Sequence, residues 1–437
     1  MNSYSSYKDS GVEWIGEIPN DWSLKKVKYL FSTEKNQISV KEFEENEVIH
    51  YSIPNVQEFG IGQLENGNDI DSSKLLLNGN ELLVSRLNPR KKTVCISELN
   101  NEHMIVGSGE FIVLVPNDMN LGYCYYQFVT GGMTQNLDSL VESVTKSHQR
   151  VRPERVFNTL YIEPPKYEIE QIVSFLDTKT QKIDELIEQT EQKIELLKEK
   201  RTSLINHCVT KGLNPNVEMK DSGVEWIGEI PSHWKTPKMM WISNLITDGS
   251  HFSPVTTDEG KYYVTVSDVK SNNTIDFINC KKISEESFED LKRNNCQPME
   301  GDILLTKDGT IGRGLVVSDN DFVILSSLGL IRCDQNIVTP NYLLYYLLSG
   351  LCIDQMYSNV RGSGITRLTI NLIKNLISII PSLEEQTQIV EYLDEQTQKI
   401  DTTIEKETQR IELLKEYRQS LISEVVTGKV DVSDWKE

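Results

Sequence analysis

Two long stretches of the chain carry apolar residues at the alternating three- and four-residue spacing of a helical seam. In the first, heptad positions a hold Val173, Thr180, Ile187, Ile194, Arg201 and Cys208, and positions d hold Leu176, Ile183, Thr190, Leu197 and Leu204. In the second, positions a hold Val390, Thr397, Ile404, Ile411, Arg418 and Val425, and positions d hold Leu393, Ile400, Glu407, Leu414 and Leu421. A stripe sustained for about five heptads predicts helices that supercoil around a partner, where a helix lying on its own domain would rarely need so regular a seam. At 1.5 Å per residue, ~36 residues make a rod of roughly 54 Å. Polar residues interrupt both seams at matching places, Thr180 with Thr397, Thr190 with Glu407 and Arg201 with Arg418. Buried polar positions cost stability but fix register, so the two helices are expected to pair with each other, antiparallel, within one chain. Pro164, Pro165 and Pro381 mark their starts, and Gly212 and Gly428 lie near their ends.

Elsewhere the pattern is of short apolar runs bounded by Gly, Asn and Pro, which predict strands. VIHYSI (48–53), ELLVSR (81–86), TVCISEL (93–99) and EFIVLVP (110–116) stand in the first half. YYVTVSDV (262–269), DILLTK (302–307), GLVVS (314–318) and FVILSSLGLI (322–331) stand in the second. A helix is predicted after each set, at 121–131 and at 340–350.

The halves are copies. KDSGVEWIGEIP is written at 8–19 and again at 220–231, with Trp22 and Trp234 three residues beyond the shared proline. EQIVSFLDTKTQKID (170–184) is answered by TQIVEYLDEQTQKID (387–401), and KIELLKEKRTSLI (193–205) by RIELLKEYRQSLI (410–422). Between these ends, residues 32–148 and 244–365 share only a thin pattern, GNELLVSR (79–86) beside GDILLTKD (301–308) and YCYYQFV (123–129) beside LLYYLLS (343–349). A duplication that keeps its ends and varies its middles implies a constant frame carrying two different readers. The expected architecture is α+β: globular heads at 1–164 and 213–380, and spacer helices at 165–212 and 381–437, forming an intramolecular coiled coil with a pseudo-twofold internal repeat.

A length of 437 residues exceeds one ordinary core, and 38% hydrophobic content fits a folded rather than a disordered chain. No apolar run reaches the length of a membrane span, and MNSYSSYKDS lacks the features of a signal peptide, so a cytoplasmic location without membrane association is expected. Seven cysteines without a CxxC pair read as free buried thiols, and six dispersed histidines offer no metal-ligand spacing. The net charge of −20 argues against a simple nucleic-acid coat protein.

An enzyme needs a site, and none of the common ones is written here. GTIGRG (309–314) lacks the lysine and hydroxyl of a phosphate loop and reads as a hairpin turn; FxGxG, NPPY or DPPY, GxSxG and HExxH are all absent. Acid pairs such as Glu44 with Glu45 and Glu285 with Glu286 read as solvated faces. Against the general acidity, basic sets become informative. VSRLNPRKKT holds Arg86, Arg90, Lys91 and Lys92 with no acid; KSHQRVRPER holds Lys146, His148, Arg150, Arg152 and Arg155 against Glu154 alone. In the second half, 355–383 holds Arg361, Arg367 and Lys374 with no acid, and the 306–314 hairpin offers Lys307 and Arg313. Such sets can neutralise phosphates, and an arginine can fork onto guanine in a major groove. Pairing with neighbouring carboxylates is the competing reading for each single residue. Their place in the variable middles, on a rigid frame, is where specificity usually lies.

SGVEWIGEIPNDW (10–22), SGVEWIGEIPSHW (222–234), DGSHFSP (248–254), GDILLTKDGTIG (301–312) and PSLEEQTQIVEYLDEQTQKID (381–401) together resemble the specificity subunit of type I restriction-modification systems. The resemblance implies a non-catalytic DNA reader with two target-recognition domains, each reading one half of a bipartite site in double-stranded DNA. Its paired helices would set the spacer and dock two adenine-N6 methyltransferase subunits, with restriction subunits as further partners. S-adenosylmethionine, ATP and Mg2+ would belong to those partners and none to this chain. It adds Ser250, His251 and Thr310 to the expected DNA contacts. The first half departs from the pattern, having a basic SRLNPRKK in place of the DGSH and DGTIG loops. The rival classes are a coiled-coil scaffold whose heads bind protein or glycan, which the acidity favours, and a stand-alone nuclease or methyltransferase, which the missing motifs weaken.

Overall fold

The computed structural model describes residues 3–33, 36–142, 149–270, 272–309, 311–358 and 367–436. Its dominant elements are two helices, Lys166–Lys211 and Leu383–Val426, both following a proline and both closed by a left-handed glycine, Gly212 (φ 75°) or Gly428 (φ 72°). The chain divides into two units, Met1–Thr190 with Gln409–Glu437, and Glu191–Thr408, so that each long helix contributes a half to each unit.

In the first unit, residues 82–85, 94–96, 111–116 and 31–32 form a four-stranded sheet in the order Val94–Ile96, Leu82–Ser85, Phe111–Pro116, Phe31–Ser32. A second sheet of five strands contains one parallel pair, Glu47–Tyr51 beside Met104–Gly107. The second unit repeats this order as Gly314–Val316, Ile303–Thr306, Leu328–Cys333, Ser243–Asp248. Its other sheet likewise contains one parallel pair, Lys261–Val264 beside Phe322–Ile324. Two middles with almost no common sequence therefore have a common topology.

The apolar run at 322–331, expected as one strand, is two strands in different sheets. The break lies at Leu325–Ser327, where Leu328 N–H turns back to Leu325 O (3.0 Å) and Ser326 N–H donates to Ser250 O (2.9 Å). Each helix predicted after the strands is the first of a pair, Leu121–Phe128 with Gly131–Ser139 and Pro340–Leu347 with Gly350–Ser358. Two further helices, Ile53–Phe59 and Glu285–Arg293, start at Ser52 and Ser284, whose hydroxyls accept from the backbone three residues on.

Each unit holds the start of one long helix and the end of the other by the same bonds. In the first, fully buried Trp22 donates its indole N–H to Glu168 Oε2 (3.0 Å), Tyr126 donates to Asp177 (2.7 Å), and Tyr123 OH reaches Ile162 O (3.2 Å) and Val426 O (3.4 Å). In the second, Trp234 donates to Glu385 Oε1 (3.1 Å), Tyr345 to Asp394 (2.6 Å), and Tyr342 OH reaches Ile379 O (2.9 Å) and Val209 O (3.5 Å).

Between those anchors the helical halves run antiparallel within each unit. Arg418 forks onto Asp184 (2.9 and 3.1 Å) in the first, and Arg201 forks onto Asp401 (2.9 and 3.2 Å) in the second, where Lys193 also meets Glu407 (2.5 Å). The arginines that interrupt the seams are thus register pins, as expected. Thr180 and Thr397 turn their hydroxyls onto their own helix, to Leu176 O and Leu393 O (both 2.7 Å). Leu176, Ile183, Ile194, Leu393, Ile400, Ile411 and Leu421 are buried; Val173, Ile187, Leu197, Leu204, Val390, Ile404 and Leu414 are half-buried. Near the heads the buried stripe widens to take in Ile169, Ile172, Ile389, Ile422 and Val426, because there the helices face their own head as well as each other.

The closing glycines give a test of this frame. A Cβ on Gly428 would come within 2.3 Å of Pro19 Cδ, whereas one on Gly212 would meet the Trp234 ring at 3.1 Å. Left-handed backbone alone costs a non-glycine residue about 1–2 kcal/mol. Gly212→Ala is expected to lose about that much unfolding free energy and Gly428→Ala distinctly more, since an approach of 2.3 Å is an outright overlap whereas 3.1 Å is only a tight contact. Urea denaturation midpoints of the two variants compare them directly.

Candidate nucleic-acid interface

The basic stretch 86–92 connects two antiparallel strands, Leu82–Ser85 and Val94–Ile96. The connection passes through a 3-10 turn at Pro89–Lys91 with left-handed corners at Asn88 (φ 48°) and Lys92 (φ 51°). In the second unit, 307–313 connects Ile303–Thr306 to Gly314–Val316 with left-handed corners at Gly309 (φ 73°) and Gly312 (φ 95°). Gly309 and Gly312 therefore turn the chain between two antiparallel strands, as the glycine-rich composition implies, and SRLNPRKK stands at the equivalent place in the first unit. Two loops without common sequence turn the chain at the same two corners.

A returning segment braces each hairpin in the same way. Arg86 N–H donates to Glu110 O (2.9 Å), and Arg86 O accepts from Val151 N–H (3.0 Å); Lys307 N–H donates to Ser327 O (3.1 Å), and Lys307 O accepts from Leu368 N–H (2.7 Å). Arg86 and Lys307 are thus equivalent positions, and so are Arg150 and Arg367, which bridge to Leu87 and Asp308. Basic residues predicted from separate clusters come together in pairs, one pair per unit.

Carboxylates hold these cations. Arg86 Nε lies 3.1 Å from Glu110 Oε2, and Arg150 forks onto the same carboxylate from Nε (3.0 Å) and Nη2 (2.9 Å). Hydrogen bonding to Arg150, against a raising effect of burial and helped by the charge of Arg86, keeps the Glu110 carboxyl below its ordinary range. Arg152 and Arg155 both meet Glu142. In the second unit Lys307 is 2% exposed and its ammonium lies 3.2 Å from Asp248 Oδ2 and 3.9 Å from Asp308; Arg367 Nε donates to Asp308 Oδ1 (3.0 Å). The structure places Lys307 as a buried ion-pair member beside the hairpin rather than on its tip.

The other expected contacts are spread around these pairs. Arg90 donates to Gln149 Oε1, and Asn88 and Gln149 exchange backbone and side-chain bonds, tying the hairpin to the segment that carries Arg150. Lys91 is exposed, while Lys92 donates to Gln419 Oε1 (2.8 Å), its partial burial lowering the ammonium's affinity for its proton. Arg313 is half-buried and reaches Val269 O (3.4 Å). Ser250 is buried, its hydroxyl donating to Phe252 O (2.6 Å), whereas His251 is exposed with Nε2 3.3 Å from Asp248 Oδ1. Lys146, His148, Thr310 and Arg361 lie outside the described residues.

Beside Arg86 the first unit has a polar cavity of about 460 Å3, lined by Lys74, Arg86, Glu110, Ser72, Ser108 and others. The partners Glu110, Asp248 and Asp308 were not foreseen, because nothing in an acid-rich sequence distinguishes a clamp from a solvated carboxylate. Among the described residues no group of three His, Cys, Asp or Glu side chains could share a metal ion. All seven cysteines are free and buried, and burial pushes the Cys95 thiol up to about 12, far from a nucleophile's range. The arrangement supplies fixed donors and acceptors on braced loops, which suits hydrogen-bonded readout rather than bond-making.

Residues 251–415 match the family model described as type I restriction modification DNA specificity domain. That match lies within the second half of the chain and is a likeness to the family rather than an assignment of the whole chain to it. The EcoBI type I restriction enzyme specificity subunit of Escherichia coli is 24% identical over 331 residues, 71% of this chain and 66% of that protein. A Methanocaldococcus jannaschii protein assigned provisionally as the MjaX type I restriction enzyme specificity subunit is 22% identical over 96% of both chains. A chain from a structure of type I R-M system assembly and conformational transition superposes with a TM-score of 0.71 at 16% identity, covering 94% of this chain and 99% of that one. The HsdS subunit from Thermoanaerobacter tengcongensis gives 0.51 at 15% identity over 94% and 98%. The specificity-subunit fold thus extends over nearly the whole chain, including the first half, whose hairpin sequence departs from the pattern.

The clamp predicts a pH signature. Because the Glu110 carboxyl is lower in the folded protein than in the unfolded chain, its contribution is complete above the unfolded value, about 4.3, and is lost as pH falls through the folded value. With all three side chains partly exposed, that contribution is about 0.5–1 kcal/mol. Glu110→Gln is expected to be less stable by this amount at pH 7 and to converge with the parent protein as pH falls below 4, measured by denaturant unfolding at each pH.

Proposed function

We propose that this chain is the DNA-specificity subunit of a type I restriction-modification complex, each unit reading one half of a bipartite site. The observation that carries the reading is the twin placement of Arg86 with Arg150 and of Lys307 with Arg367 on equivalent braced hairpins in divergent middles. A guanidinium clamped by a carboxylate has its fork aimed in advance, and a base edge that completes its hydrogen bonding is read at low entropic cost.

The chain acts as a non-catalytic subunit. Its long helices serve as the spacer between half-sites and as a docking surface for two adenine-N6 methyltransferase subunits, with ATP-dependent restriction subunits as further members of the assembly. S-adenosylmethionine, ATP and Mg2+ are held by those partners, and the complex works on double-stranded DNA in the cytoplasm. No helix of the described residues is long and apolar enough to cross a membrane. Support for the spacer role comes from the register pins: a helix pair locked by Asp184–Arg418 and Asp401–Arg201 transmits length rather than sliding. The scaffold reading is not favoured, since a protein- or glycan-binding scaffold gives no reason for the braced basic hairpins or for a DNA specificity domain over 251–415.

Methylome sequencing of cells expressing the complex is expected to show a two-part adenine mark, and replacing residues 32–148 with the middle of another specificity subunit should exchange one half of that mark only. A matched seven-residue insertion in both long helices adds ~10.5 Å, about three base steps of 3.4 Å. It should lengthen the unread spacer by about three base pairs with both half-sites unchanged. An altered half-site with an unchanged spacer would sink the reading.

A further inference from the structure

The stretch KDSGVEWIGEIP, present twice, keeps identity at positions the core does not explain. Its buried members, Ile15 and Ile18 or Ile227 and Ile230, belong to the cores. Lys8 and Lys220 tie down Asn20 O (2.6 Å) and Trp234 O (2.7 Å), and Asp9 and Asp221 accept from Gly11 and Gly223 N–H (both 2.9 Å). Glu13, Glu17, Glu225 and Glu229 are exposed, and among the described residues no hydrogen bond or ion pair occupies their carboxylates. Between them stand Trp14, half-buried, and Trp226, 45% exposed. An acid-flanked tryptophan thus recurs in two units whose middles have diverged.

The two tryptophans differ in what lies beneath. Gly132, second in its helix, is so close to Trp14 that a Cβ there would meet ring atom Cε3 at 2.8 Å. Leu351 holds the equivalent place in the helix Gly350–Ser358, and Trp226 there lines an open recess of about 400 Å3 with Leu351, Asn206, Asp354, Gln355 and Ser358. The recess has an aromatic and an aliphatic wall and an exposed carboxylate, Asp354, at its rim.

We infer that the Trp226 recess is a docking pocket for a lysine or arginine side chain of a partner protein, and that the acid-flanked Trp14 is the matching surface of the first unit. An aromatic face with nearby carboxylates attracts a cation both through the ring and through charge. DNA is disfavoured as occupant by the same charges, since the two glutamates beside each tryptophan, with Asp354 at the recess, repel phosphate. A second copy of this chain meeting the motif like-to-like would set glutamates against glutamates. A partner that uses both duplicates is one protein present twice per chain. This inference rests on the proposed function, in which that partner is the methyltransferase subunit.

The test is native mass spectrometry and titration of the full chain with its system's methyltransferase subunit. The parent chain should carry two copies. Trp226→Ala, and separately the charge-reversing pair Glu225→Lys with Glu229→Lys, should weaken one copy about tenfold, consistent with a cation–π contact of ~1–2 kcal/mol. Adding Glu13→Lys with Glu17→Lys should weaken the other, and Trp226→Phe should retain most of the affinity. Both copies retained at unchanged affinity in the charge-reversed chain, with an unchanged melting temperature, would overturn the docking inference alone. A parent chain that fails to take two methyltransferase copies would overturn the proposed function itself. A salt-sensitive dimer of the chain by itself, abolished by the same substitutions, would replace the partner by a second copy and overturn the inference. Should Trp226→Ala fail to fold, the exposed glutamate pairs carry the test.

Discussion

Everything in this protein hangs on each head gripping the beginning of one long helix and the end of the other. Trp22 on Glu168 and Trp234 on Glu385 fix where a helix starts, and Tyr123 and Tyr342 reach carbonyls at the far ends, Val426 and Val209. Buried donors of this kind have no water to fall back on, so an unmade bond costs about 1–3 kcal/mol. A head that takes one end from each helix obliges the two to run in opposite directions through it. The forked pairs Asp184–Arg418 and Asp401–Arg201 then select one register among those the apolar seam would tolerate.

Fixing the ends frees the middles. A strand order shared by two units needs backbone hydrogen bonding and alternate burial, and many sequences satisfy both. The hairpins show how far this goes: Asn88 and Lys92 take left-handed corners that Gly309 and Gly312 take in the other unit. Glycine adopts that conformation without penalty and asparagine nearly so, whereas lysine is strained by it. The bond from Lys92 to Gln419 of the long helix holds that strained corner, which ties the variable hairpin back to the constant frame within its unit.

How much was legible in the sequence follows from these constraints. The starts of the long helices could be read to within two residues, because a five-heptad seam with proline before it admits few alternatives, whereas the second helix stops at Val426, short of the 437 expected, and the helices of 46 and 44 residues exceed the ~36 of the seam. Arg201 and Arg418 stood out as polar members of an apolar seam, and both proved to be register pins. Three of the four strands of the first sheet in each unit were visible as apolar runs, but Phe31–Ser32, Ser243–Asp248, Gln63–Asn66 and Lys74–Leu77 were not, since a short or half-exposed strand of mixed composition has no strong period. The split of 322–331 was hidden because its break, LSSL, keeps apolar flanks and lacks both glycine and proline. The candidate site was legible only as charge. Sequence placed the basic sets in the divergent middles, yet Glu110 lies 40 residues from Arg150, and the pair Arg367–Asp308 is 59 residues apart, and no local rule connects such partners.

On the proposed reading, the clamps also reconcile an acidic chain with DNA recognition. A reader that relied on free lysines would bind any duplex through counterion release, with affinity falling steeply as salt rises. Here Glu110 neutralises part of Arg86 and Arg150, and Asp248 with Asp308 does the same for Lys307 and Arg367. The loss in nonspecific attraction is offset by orientation: a guanidinium already forked onto one carboxylate edge presents its remaining N–H groups in a fixed plane, where guanine O6 and N7 can be told from other acceptors. On the proposed reading, a subunit with net charge −20 contributes discrimination, and the phosphate attraction that holds the duplex belongs to the proteins docked on it. Discrimination and grip then reside in different chains, so a half-site changes by replacing one middle while the surfaces that bind partners stay as they are.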